Sequence, residues 1–121
     1  MEKDRYDRLT AVKLEAAGIR VEDALGRFMG NEMLLERFLK KFLDDVNFSL
    51  LKEAVGRQDH EEELKASHTL KGVCGNLSIS GLYDLVTRQV ALMREDRWEE
   101  AEALMPEIEK AYETAAAAIR G

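Results

Sequence analysis

Glu32-Met33-Leu34-Leu35-Glu36-Arg37-Phe38-Leu39-Lys40-Lys41-Phe42-Leu43-Asp44-Asp45-Val46-Asn47-Phe48-Ser49-Leu50-Leu51-Lys52-Glu53-Ala54-Val55 is the stretch on which the fold turns. Within it Leu35, Phe38, Leu39, Phe42, Val46, Leu50, Leu51 and Ala54 recur every three or four residues, the interval that gathers side chains on one face of an α-helix. Read as one element, it predicts a single helix roughly 36 Å long at 1.5 Å per residue, ended by Gly56. Asn31 stands where an N-cap belongs. Just upstream, Val21 to Phe28 makes a short turn of helix with Val21, Ala24, Leu25 and Phe28 on one side, broken by Gly30 and Asn31.

Downstream, Asp59 can cap a second helix whose inward positions are Leu64, Ser67, Leu70, Cys74 and Leu77. The connection is short, so the two helices are expected to be antiparallel neighbours. Ser78 to Ser80 interrupts the pattern, and Leu82, Leu85, Val86, Gln89 or Val90 and Met93 supply a third stripe. After a turn around Asp96, a last helix from Trp98 to about Ile119 uses Ala101, Leu104, Met105, Ile108, Tyr112, Ala115 and Ile119, with a kink expected at Pro106. At the other end, Asp4 to Ala17 spaces Tyr6, Leu9, Val12 or Lys13 and Ala16 helically, and Gly18 is a natural C-terminal cap. The expected architecture is all-α within one domain: an accessory helix over 1–17, a lead-in helix over 18–30, and an antiparallel up-down-up-down four-helix bundle over 31–120.

Composition agrees with that class and excludes others. A chain of 121 residues with 45% hydrophobic residues can close one core without disulfides or metals. The single Cys74 fits a reducing, cytoplasmic compartment. No apolar run approaches the roughly 20 residues of a bilayer span, and Met1 to Arg8 is polar, so neither a membrane segment nor a signal peptide is expected. A net charge of -6 argues against nucleic acid, whose binding gains from a positive field.

The chemistry concentrates in Ser67-His68-Thr69-Leu70-Lys71-Gly72-Val73-Cys74-Gly75-Asn76-Leu77. Two glycines inside a helical pattern each cost about 1 kcal/mol relative to alanine. Gly72 and Gly75 fall on the face of His68, with Lys71 one turn along, so the surface beside the imidazole is stripped of side chains. That makes sense if another protein must bring a reacting group within about 3–3.5 Å of the ring, as in-line phosphoryl transfer requires. The Lys71 ammonium can then interact with phosphoryl oxygens and developing charge.

This segment resembles the histidine phosphotransfer family, whose motif reads His, two residues, Lys, Gly, with a small residue at the next turn. Gly18-Ile19-Arg20-Val21-Glu22-Asp23-Ala24-Leu25-Gly26-Arg27-Phe28-Met29-Gly30-Asn31 is similar to that family's lead-in, and the resemblance runs from about Gly18 to Ile119. It implies that His68 is the phosphoacceptor, Lys71 the stabilising cation, and Gly72 and Gly75 the small residues giving a receiver access. Gln89, or Val90 in its place, falls at a position that in some members is polar and hydrogen-bonds the histidine region. The implied protein is a monomeric phosphoryl carrier of a two-component phosphorelay, not an enzyme. Its partners are response-regulator receiver domains and a hybrid histidine kinase. It carries no cofactor of its own, Mg2+ sitting on the partner receiver.

Other readings are weighed beside this one. A histidine-kinase phosphoacceptor helix pair would carry an acid after the histidine and a proline soon afterwards, where this chain has Thr69 and Gly72, and no Gly-rich nucleotide segment is present. A non-catalytic scaffold of the same fold is the other alternative, since fold alone does not set function. His60, beside Asp59, Glu61, Glu62 and Glu63, reads as a solvated helix start, and no metal site is expected there. Cys74 reads as a small core residue, and Trp98, Phe28, Phe38, Phe42 and Phe48 as packing anchors without chemistry.

Overall fold

Asn31 begins the first long segment as expected, its side chain accepting a hydrogen bond from the Leu34 amide at 2.9 Å. The computed structural model describes residues 8–121, so the part of the expected first helix that falls before Arg8, Tyr6 included, lies outside the described residues. Within them every regular element is helical: α1 (Arg8–Ala16), α2 (Val21–Arg27), α3 (Glu32–Phe42), α4 (Asn47–Arg57), α5 (His60–Asn76), α6 (Ser80–Arg94), α7 (Trp98–Glu102) and α8 (Met105–Arg120). No described helix is long and apolar enough to cross a membrane.

The single helix expected over Glu32 to Val55 is two helices. Asp45 accepts from the Asn47 amide at 3.0 Å and from the Asn47 side chain at 2.8 Å, offering the backbone a local partner in competition with the helical ladder. The break resets the helical phase. Leu35, Leu39 and Phe42 point inward from α3, but from α4 it is Phe48, Leu51 and Ala54 that do so. Val46 (61% exposed) and Leu50 (49%) fall outside the stripe in which the continuous reading placed them, as does Phe38 at the edge.

Three further expectations are corrected. Gly56 lies inside α4, and the left-handed residue that ends this helix is Gln58 at φ 54°. Pro106 sits in the first turn of α8, where its missing amide costs nothing, so it starts a helix after a break instead of kinking one. In α1 Leu14 is buried while Val12, Lys13 and Ala16 are exposed, because α1 packs on α2 and α8 through the Leu14 side; the side chain of Leu9 lies outside the described residues.

Neighbouring helices pack in sequence, α4 on α5, α5 on α6, and α6 on α7 and α8, while α3 also meets α8. One core runs through them, holding Leu35, Phe42, Leu51, Leu70, Cys74, Leu82, Val86 and Ile108 among others. Each fully buried side chain of this size contributes about 1.5–3 kcal/mol. Tyr112 lies against both Phe42 and Phe48, with ring centroids 5.1 and 4.5 Å away.

The lead-in segment is tied to the turn after α5. Gly18 takes φ +90°, Ile19 forms an isolated antiparallel bridge with Ile79, and the Arg20 amide donates to the Ser78 carbonyl at 2.9 Å. Ser78 donates to Asp23 and accepts from Arg27. These bonds seat α2 beside the end of α5 that carries the glycines.

Candidate functional site

Asp59 caps α5 by accepting from the Glu62 amide at 3.3 Å, and the helix then runs unbroken through the His68 segment. Ser67, Leu70, Cys74 and Leu77 are buried from it as the spacing predicts, with Leu64 half-buried. Burial pushes the Cys74 thiol far up, so it is an inert core group.

His68 faces outward. It lines an open groove of about 530 Å³ together with Lys71, Gly72 and Gly75 from α5, Arg20, Asp23 and Arg27 from the lead-in, and Tyr83 from α6. Lys71 makes no ion pair among the described residues. Asp23 is held below the usual carboxylate range by the Ser78 hydroxyl and the Arg27 guanidinium, so the groove's acid is already paired. A second groove of about 640 Å³ shares Arg27 and Asn76 with the first and adds Phe28, Phe38 and Phe42.

The two glycines differ. A Cβ placed on Gly72 would meet nothing within 4 Å, whereas one on Gly75 would come within 3.1 Å of the Tyr83 ring. Gly72 therefore leaves surface open beside His68, and Gly75 makes room for Tyr83. Because Gly72 is exposed helix interior, Gly72→Ala should leave thermal stability unchanged or raise it by up to about 1 kcal/mol. Gly72→Gln should keep the fold and fill the open surface, so any process needing close approach to His68 slows. Unfolding of Gly72→Ala, measured by thermal melting, would show that the glycine serves packing instead.

Gln89 is fully buried, as is its neighbour Val90. It accepts from Ser67 Oγ at 2.7 Å and donates to the Ala101 carbonyl at 3.0 Å and to the Met105 sulfur. It therefore bonds to the residue before His68, not to His68, and pins α5 to α6 and to α7 through a satisfied buried network.

Arg94, at the end of α6, was not singled out by the spacing of residues near His68. Its guanidinium lies 3.5 Å from His68 Nδ1. When Arg94 donates, Nδ1 carries the lone pair; when Nδ1 carries the proton, the contact is lost and Nε2 is the free nitrogen. The only sequence signal for this pair would have been a basic residue at the end of a neighbouring helix, which many helices share.

His60, Glu61 and Glu62 are exposed at the start of α5 as expected, and Glu63 alone departs from that reading. Glu63, expected at the surface, is 0% exposed, and no donor of another described residue satisfies either of its carboxylate oxygens, which face the carboxyl of Glu102. Loss of solvent, then the facing Glu102 and Asp59, push its carboxyl up to about 8. The helix phase explains the correction: Glu63 shares the inward face of Ser67 and Leu70. His60 stacks on Trp98 with centroids 4.0 Å apart and planes 2° from parallel.

Comparison with protein-family models, with curated proteins and with solved structures finds no match to this chain.

Proposed function

We propose that this chain is a histidine-containing phosphotransfer protein of a multistep two-component phosphorelay, carrying a phosphoryl group between receiver-domain aspartates through His68. The observation that carries this reading is an exposed imidazole on a rigid helix, beside an open glycine surface and within reach of two cations, Lys71 and Arg94. The same reading takes the packed helices, joined by short connections, as an antiparallel up-down-up-down four-helix bundle in a cytoplasmic, monomeric carrier. Its partners are response-regulator receiver domains, which bring the Mg2+, and a hybrid histidine kinase.

In the forward step the Nε2 lone pair attacks the phosphorus of a receiver aspartyl phosphate in line. The P–O bond to the aspartate breaks and the carboxylate leaves with its electron pair. The ring proton on Nδ1 then passes to solvent, and the freed Nδ1 lone pair accepts from Arg94. A ring kept unprotonated at Nδ1 is a poorer leaving group, so this contact lengthens the life of the phosphohistidine. Lys71 faces the phosphoryl oxygens and screens their charge as the bond forms.

The test is incubation of the chain with a panel of receiver domains phosphorylated in advance, followed by mass spectrometry at neutral pH. One labile adduct on His68 is expected. A chain that takes no phosphoryl group from any receiver is an adaptor, and the reading fails. Lys71→Ala should slow transfer or shorten the phosphohistidine lifetime by the equivalent of about 1–3 kcal/mol, with the melting temperature unchanged. Rates and lifetime equal to wild type would remove Lys71 from the mechanism.

A further inference from the structure

A buried carboxylate with no donor costs several kcal/mol unless something neutralises it. Glu63 is in that position, and Glu102 Oε2 beside it is also buried without a hydrogen-bond partner. A third group converges on the pair: His60 Nε2 lies 3.9 Å from Glu102 Oε2. One nitrogen of His60 and one oxygen each of Glu63 and Glu102 all fall within 4.8 Å of one another.

We infer that His60, Glu63 and Glu102 form a binding site for a divalent transition ion of the zinc class, linking α5 to α7. One imidazole and two carboxylates match the donor preference of zinc and its neighbours, whereas magnesium and calcium favour all-oxygen sets. Metal–ligand bonds near 2.0–2.2 Å put tetrahedral ligands about 3.4 Å apart, so small side-chain movements close the set. Two negative charges meet a dication, and His60, on the surface, gives the entry path and leaves coordination positions to solvent. A proton shared between Glu63 and Glu102 would also neutralise the pair, with His60 then an ion-pair partner of Glu102, and metal titration separates the two arrangements. The Trp98 stack holds the plane of that imidazole.

The sole tryptophan sits on a ligand and reports the site directly. Untagged chain, stripped with a chelator, is titrated with ZnCl2, CoCl2 or MgCl2 while Trp98 fluorescence, calorimetric stoichiometry and melting temperature are followed. Zinc and cobalt should bind one ion per chain and raise the melting temperature by about 4 °C or more at saturation, and magnesium should not. His60→Phe, which keeps the stack and removes the donor, and Glu102→Gln should each weaken zinc binding at least about tenfold. His68→Gln should bind zinc like wild type, which separates this site from the phosphotransfer reading. No saturable binding, equal affinity in His60→Phe, or loss of binding in His68→Gln overturns the assignment. In the first case the carboxyl pair holds a proton instead.

Discussion

Glu63→Gln is expected to remove a loss of stability that the wild-type chain, kept free of metal by a chelator, shows as pH rises between about 4.5 and about 8. The carboxyl of Glu63 has an ordinary pKa in the unfolded chain and a raised one in the folded chain. Below both values the acid is protonated in either state, and the folded state has its full advantage. As pH rises the unfolded chain gives up its proton first, while the folded chain keeps it because lost solvation and the facing Glu102 and Asp59 disfavour the charged form. The advantage has gone once pH passes the folded value. Each pKa unit corresponds to about 1.4 kcal/mol, so the contribution at stake is on the order of 5 kcal/mol, a large part of a small domain's stability. Glutamine keeps the shape and has no proton to lose. Urea unfolding of both proteins across this range should give curves that diverge as pH rises, the wild type falling away from the variant. Parallel curves would mean that Glu63 reaches solvent or another partner in solution.

His68→Gln is expected to abolish phosphoryl uptake while leaving the fold unchanged. The residue is exposed and, among the described residues, its close polar contact is with Arg94, so little packing is lost and melting should match wild type within about 0.5 kcal/mol. What is lost is the ring nitrogen whose lone pair attacks phosphorus, and an amide nitrogen is no substitute because its lone pair is delocalised into the carbonyl. Transfer from a phosphorylated receiver, followed by mass spectrometry, should fall to background. The other histidine is remote from the open glycine surface, because His60 begins α5 about two turns before His68 and lies against Trp98. Label retained in His68→Gln would sink the phosphotransfer assignment.

Much of the helical content is legible along the chain, because a helix repeats every few residues and its caps are local. Asn31 and Asp59 cap the helices they precede, Gly18 turns the chain, and Leu70, Cys74, Leu82 and Val86 lie inward as their spacing says. The surface position of His68 follows from the same phase, and so does the inward phase of Glu63, masked by its acidic neighbours Glu61 and Glu62. The break at Asp45 was also local, but a two-residue hydrogen bond is weaker in a periodic reading than the apolar residues on either side of it.

Residue spacing is enough to set the helical character of the chain, the outward face that bears His68, Lys71 and Gly72, and the buried thiol at Cys74. Which distant groups meet is a matter of how the helices pack. Arg94 reaches His68 from another helix, Ser67 bonds Gln89, Tyr83 fills the space at Gly75, and Glu102 and His60 close on Glu63. Periodicity fixes the direction of a side chain around its own helix axis. Whether two polar groups on separate helices arrive within bonding distance depends on the offset and rotation of one helix against the other, which the packing of apolar side chains sets across the whole core.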